Sequence, residues 1–155
     1  MRHWLFKTEP SEFSIDDLEK VDSELWEGIR NYQARNLMRD EVKLGDAVFI
    51  YHSSCKNVGV AGIAEVVKEA YPDPFQFNPE SKYFDPKSTQ DNPRWVCVDV
   101  AFKSRLKDIL PLSEMRQEPR LEEMVLLNRS RLSIQPVRAD EWDVILEMAA
   151  TQNLL

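Results

Sequence analysis

Ala47-Val48-Phe49-Ile50-Tyr51-His52-Ser53 is apolar or aromatic at nearly every position. The polar alternation of a strand with one wet face is missing, so the run reads as a strand covered on both faces. Val60 to Val67 repeats the pattern after the turn Lys56-Asn57-Val58-Gly59. Two doubly buried strands in a chain with few helices point to a small barrel.

Upstream, Leu44-Gly45-Asp46 is a turn signal. Before it, Ala34, Leu37 and Met38 lie on one side of a helix ending near Arg39 or Asp40, with Arg35 and Arg39 on the other. His3 to Lys7 reads as a short strand stopped before Pro10, and Ser14-Ile15-Asp16-Asp17 matches a capping box that opens a helix to about Lys20. Downstream, Arg94 to Phe102 alternates as a strand, with Val96, Val98, Val100 and Phe102 on one face. Leu112 to Arg116 and Leu121 to Met124 read as helical turns. Arg131 to Gln135 reads as a strand that stops at Pro136. A last helix starts near Ala139 and carries Trp142, Ile145, Leu146 and Ala149.

Tyr71 to Pro93 is different. It holds five of the nine prolines and the aromatics Tyr71, Phe75, Phe77, Tyr83 and Phe84. A long ordered loop is expected, either a binding lid or a strap packed across the fold.

The length of 155 residues suits one domain over residues 1–155, with no internal repeat and no linker. No apolar run reaches membrane-spanning length, and the N-terminus meets a charge and a proline too soon for a signal peptide. A cytoplasmic monomer with no membrane contact is the expectation. Cys55 and Cys97 are too far apart in sequence, and the histidines too few, for a zinc site, so no metal or cofactor is expected. The formal charge of -7 excludes a general duplex-coating protein. It leaves room for a deep pocket that takes one flipped base.

Trp26-Glu27-Gly28-Ile29-Arg30-Asn31-Tyr32-Gln33-Ala34-Arg35-Asn36 packs indole, phenol, amides and guanidiniums into one short span. Aromatic faces stack on flat rings, while amides and guanidiniums make forked hydrogen bonds to base edges and phosphates. The same residues also fit a core tryptophan, an Asn31 helix cap and a solvated helix face. Catalysis has weaker support. The chain lacks a glycine-rich phosphate loop and a Gly-x-Ser-x-Gly elbow, and His52 and Ser53 point to opposite sides of their strand.

Together, several motifs resemble the EVE domain, a member of the PUA-like superfamily related to YTH domains. They are Trp4 to Ser11, Trp26 to Asn36, Gly45-Asp46 with Tyr51-His52-Ser53, Ala70 to Pro74, and Ser130 to Val137 with Glu141-Trp142. The resemblance implies an α+β, PUA-like fold, a small mixed β-barrel flanked by short helices, and a non-catalytic pocket for a modified cytosine or adenine in DNA or RNA. It implies Trp26, with Tyr32, as aromatic wall, Asn31 and Gln33 as edge-reading amides, and Lys7 and Ser53 as polar contacts. It also places Arg131, Ser133 and Gln135 on the pocket floor. Arg30, Arg35 and Arg39 are the candidate phosphate contacts. Two alternatives stand beside it: a binder of a small anionic or nucleotide-like metabolite, and an enzyme that modifies nucleic acid.

Overall fold

The computed structural model describes residues 1–129 and 131–155. Ser130, which opens the last of the quoted motifs, lies outside them. The strands are β1 (His3–Thr8), β2 (Glu24–Leu25), β3 (Ala47–His52), β4 (Gly59–Pro72), β5 (Val96–Pro111) and β6 (Ile134–Val137). The α-helices are α1 (Ile15–Glu19), α2 (Tyr32–Asp40), α3 (Leu112–Met115), α4 (Val125–Asn128) and α5 (Ala139–Thr151), with 3₁₀ turns at Pro74–Phe77 and Pro119–Leu121.

The six strands form one sheet in the order β2-β5-β4-β3-β1-β6. β1 and β3 run parallel, and the other neighbours are antiparallel. The sheet is open, with β2 and β6 as its edges, so the expected closed barrel is not formed. The inference failed because burial on both faces has a second cause. Successive residues of β1 and β3 feed opposite cores: Trp4, Phe6, Val48 and Ile50 pack with α1 and α2, while Leu5, Phe49 and Tyr51 pack with α3, α4 and α5. Helical layers cover the sheet where a barrel would have covered itself.

β4 and β5 continue well past their apolar stretches, because backbone pairing goes on where the side chains turn to solvent. Several register shifts interrupt the ladder and bend it. Gly59 and Gly62 sit where the strands approach most closely. A Cβ on Gly59 would stand 2.1 Å from the Leu110 carbonyl oxygen, and one on Gly62 2.6 Å from that of Ser104. Lys103 and Arg105 lie on the extension of β5 and pair with Glu65 and with Asp16 and Glu19.

The last strand is displaced from its expected place. It begins at Ile134 and runs through Pro136, which an edge strand tolerates because no neighbour needs its missing N–H. The expected turn at Leu121 to Met124 forms, closed by the Met124 N–H donating to the Leu121 carbonyl at 2.9 Å, between the Pro119–Leu121 turn and α4. Trp142 of α5 is buried and stacks on Phe49 at 3.7 Å, as its helical spacing required.

The capping box forms as read. Ser14 accepts from the Asp17 N–H, and Asp17 accepts from the Ser14 N–H at 2.8 Å. His52 then completes the N-terminus of α1: its Nε2 accepts from the Ile15 N–H at 3.1 Å, so the ring is neutral. Burial holds the imidazole below its usual 6.5. The unfolded chain therefore binds this proton more readily, and stability rises with pH through this group. The contribution is complete above pH 6.5 and is lost as the pH falls through the lower folded-state value. Urea denaturation at pH 7.5 and 5.5 is expected to show lower stability at pH 5.5, with a smaller difference in His52→Gln. An equal difference in both proteins would remove His52 from the account.

Candidate functional site

The C-terminal ends of β1 and β3 open beside the 24–29 segment to form a cavity of about 700 Å3. One wall is set by register. β2 pairs with β5 and the Trp26 N–H donates to the Val98 carbonyl at 2.8 Å, which carries the indole over the α1/α2 core. There Trp26 meets Phe6 at 5.8 Å and the edge of Phe13 at 6.2 Å between centroids. It is only 6% exposed. Most of the ring therefore packs inward, as the core reading has it, and Trp26 is also among the residues that line the cavity.

The next turn is held from below by Asp73, which is fully buried. Its Oδ2 accepts from the Gly28 N–H at 2.9 Å and from Arg30 Nη1 at 3.1 Å, and its Oδ1 accepts from the Phe75 N–H at 2.8 Å. Gly28 has φ +82°, and a Cβ there would lie 2.6 Å from the Tyr83 ring. Gly28→Ala is expected to cost about 1–2 kcal/mol from the left-handed backbone alone and to push the mobile end of Tyr83 aside. Denaturant titration measures the first effect. A Gly28→Ala protein as stable as the parent would contradict it.

The 73–95 loop is both strap and rim. Buried Gln76 ties it down: its Nε2 donates to the Asp73 and Trp95 carbonyls, and its Oε1 accepts from the Arg94 and Trp95 N–H groups. Lys82 and Tyr83 then reach the cavity. Lys82 pairs with Glu12 from the opposite side of the mouth.

Lys7, Trp26, Ser53 and Ser133 meet at this cavity. Lys7 stands half-buried at the end of β1, its ammonium 5.8 Å from the Tyr51 ring centre, and burial lowers its pKa. Its backbone N–H donates to the Ser133 carbonyl at 2.9 Å, and the Ser53 N–H donates to the Thr8 carbonyl at 2.9 Å, so backbone bonds join the pieces of the floor.

The other expected residues lie elsewhere. Asn31 caps α2, its Oδ1 accepting from the Ala34 N–H at 3.0 Å. Tyr32 is exposed and stacks on Trp95 at 4.9 Å. Gln33 accepts from Arg129 at 3.1 Å. Arg131 is exposed, and Gln135 is fully buried with its amide donating to the Leu132 carbonyl at 2.7 Å. The shared polar face of Arg131, Ser133 and Gln135 does not form, because the strand that would have aligned them starts at Ile134.

Among the arginines, Arg30 clamps the rim. It donates to the Tyr83 carbonyl from Nε and Nη2, to the Ile29 carbonyl, and to Asp73. Arg35 lies over the Tyr32 ring and donates to the Arg94 carbonyl at 3.0 Å, while Arg39 makes an exposed pair with Asp40. Arg39 is exposed, Arg35 half-buried, and Arg30 is fixed in the rim.

The cavity carries carboxylates that sequence reasoning did not assign to it: Glu9, Glu12, Glu24 and Glu27. Glu27 stood inside the aromatic-amide stretch, but nothing in its spacing separated it from a surface glutamate. Burial pushes the Glu24 carboxyl up, with Asp99 adding to the effect. Burial does the same to Glu27, reinforced by the charges of Glu24, Asp73 and Glu12. Such a lining favours hydrogen-bond donors over anions.

Comparison with known proteins places this arrangement. The family model described as the EVE domain matches residues 2–148. The chain belongs to the EVE domain family. This EVE domain is 43% identical to human thymocyte nuclear protein 1 over 94% of its own length and 73% of that protein. A Leishmania major structure described as a hypothetical protein superposes with a TM-score of 0.96 and 46% identity, covering 99% of this chain and 97% of the other. The structure of human THYN1 in complex with DNA containing 5-methylcytosine matches with a TM-score of 0.90 and 42% identity, over 96% of this EVE domain and 98% of the human chain.

Proposed function

We propose that this EVE domain binds DNA carrying a modified cytosine, with the base turned out of the stack into the cavity beside Trp26. The observation that carries the reading is the human relative, solved with 5-methylcytosine-containing DNA and alike over nearly the whole chain. The site has the chemistry the task requires. Phe13, Trp26 and Tyr83 offer aromatic surface, while Lys7, Ser53, Ser133 and the glutamates offer polar groups at a base edge. Its volume falls in the range of about 300–1,000 Å3 common for small-ligand pockets.

Unstacking a base costs a few kcal/mol, and stacking on an aromatic side chain returns about 1–3 kcal/mol. Hydrogen bonds to the base edge and contacts to neighbouring phosphates supply the rest, with Arg35 and Arg39 as candidates for the latter. A modified base in RNA fits the same mechanism. The reading assigns the domain no catalytic step. A small anionic metabolite is disfavoured by the four glutamates, with one of the two lysines already paired to Glu12.

The test is a fluorescence titration with single- and double-stranded oligonucleotides that differ at one position: cytosine, 5-methylcytosine, adenine or a methylated adenine. Tighter binding to the 5-methylcytosine strand, weakening steeply with salt, is expected. Equal affinity for modified and unmodified strands, or no binding by folded protein, would overturn the reading.

A further inference from the structure

Glu27 sits between Trp26 and Gly28 on the cavity wall. The backbone on both sides of it is anchored, through the Val98 carbonyl to the Trp26 N–H and through Asp73 to the Gly28 N–H. Its carboxyl is half-buried. Among the described residues, no cation pairs with it and no other residue donates to it, in contrast to Glu12, which has Lys82. A positioned acceptor of this kind on a cavity wall can exchange water for a donor on a ligand.

Resting on the reading of the domain as a modified-cytosine binder, we propose that Glu27 selects the base by meeting the 4-amino edge of cytosine and excluding thymine. Cytosine presents the N4 amine as donor beside N3 as acceptor. One carboxylate oxygen accepts from N4–H. Thymine reverses the pattern, with O4 as acceptor beside N3–H, so an oxygen of the base would face an oxygen of Glu27. The 5-methyl group is common to 5-methylcytosine and thymine, and contacts to it cannot tell them apart. The edge must do so.

The full chain and its Glu27→Gln variant are titrated with duplexes carrying one 5-methylcytosine, one thymine or one cytosine opposite an abasic position. The abasic partner leaves every test base unpaired. The parent protein is expected to prefer 5-methylcytosine to thymine by about tenfold or more, since a site built for a hydrogen bond rejects the analogue that lacks it. In Glu27→Gln the amide both accepts and donates, and the ratio is expected to fall to within about twofold. The ratio is taken within one protein, so a change in folded fraction does not move it.

If the parent binds 5-methylcytosine above cytosine and Glu27→Gln keeps the full preference over thymine, the role of Glu27 is overturned while the binding function stands. A parent that favours 5-methylcytosine over cytosine but treats thymine alike also overturns it. A parent that binds no duplex, or does not separate 5-methylcytosine from cytosine, overturns the function and the inference together.

Discussion

Asp73→Ala is expected to lose about 3–5 kcal/mol of stability, the range for breaking a buried ion pair from one side. The carboxylate is fully buried and serves three donors: the Gly28 N–H, the Phe75 N–H and the Arg30 guanidinium. Alanine leaves two backbone N–H groups and a largely buried cation without their acceptor. The loss also loosens the turn that carries Glu27 and Gly28, so binding at the cavity falls even where the protein remains folded. Asp73→Asn keeps one acceptor oxygen and loses less. Arg39→Ala is the control, because its exposed pair with Asp40 is worth at most about 1 kcal/mol. Urea denaturation of the three variants checks the order. A loss below about 1 kcal/mol for Asp73→Ala would mean that the 73–95 loop is held by something other than this node.

Trp26→Ala is expected to cost about 3–5 kcal/mol as a large-to-small core change, and to weaken binding by the stacking surface it removes. At 6% exposure the indole contributes most of its area to packing with Phe6 and Phe13. Loss of binding in this variant therefore does not separate wall from core. Trp26→Phe does: it keeps an aromatic face and most of the volume, so the protein stays folded while the strip facing the cavity shrinks. The expected pattern is a large drop in denaturation midpoint for alanine, a small one for phenylalanine, and weaker base binding in both. A folded Trp26→Phe protein with unchanged affinity would take Trp26 out of the ligand contact and leave it as core alone.

The parts legible in the sequence are those decided within a few residues. The Ser14–Asp17 box and the Asn31 cap form as read, because capping depends on a side chain reaching a backbone group three residues away. The Ala47–His52 strand and α5 match their patterns, because periodicity records which side chains must leave water. The family motifs led to the right domain, and four of the site residues they implied, Lys7, Trp26, Ser53 and Ser133, meet at one cavity.

What needed the tertiary structure was the identity of each side chain's partner. Arg30 looks like Arg39 in sequence, yet one clamps Tyr83 and Asp73 while the other pairs with its neighbour in solvent. Glu27 becomes a candidate base-reading group only because the anchored backbone at Trp26 and Gly28 sets it on the cavity wall. The choice of an open sheet over a barrel has the same origin. The apolar runs of β3 and β4 state that both faces are buried; whether helices or more strands bury them depends on where distant segments return. The sequence by itself determined which residues must be hidden and where elements begin, since those are local free energies. Which groups share a cavity, and with what charge, was decided by long-range packing alone.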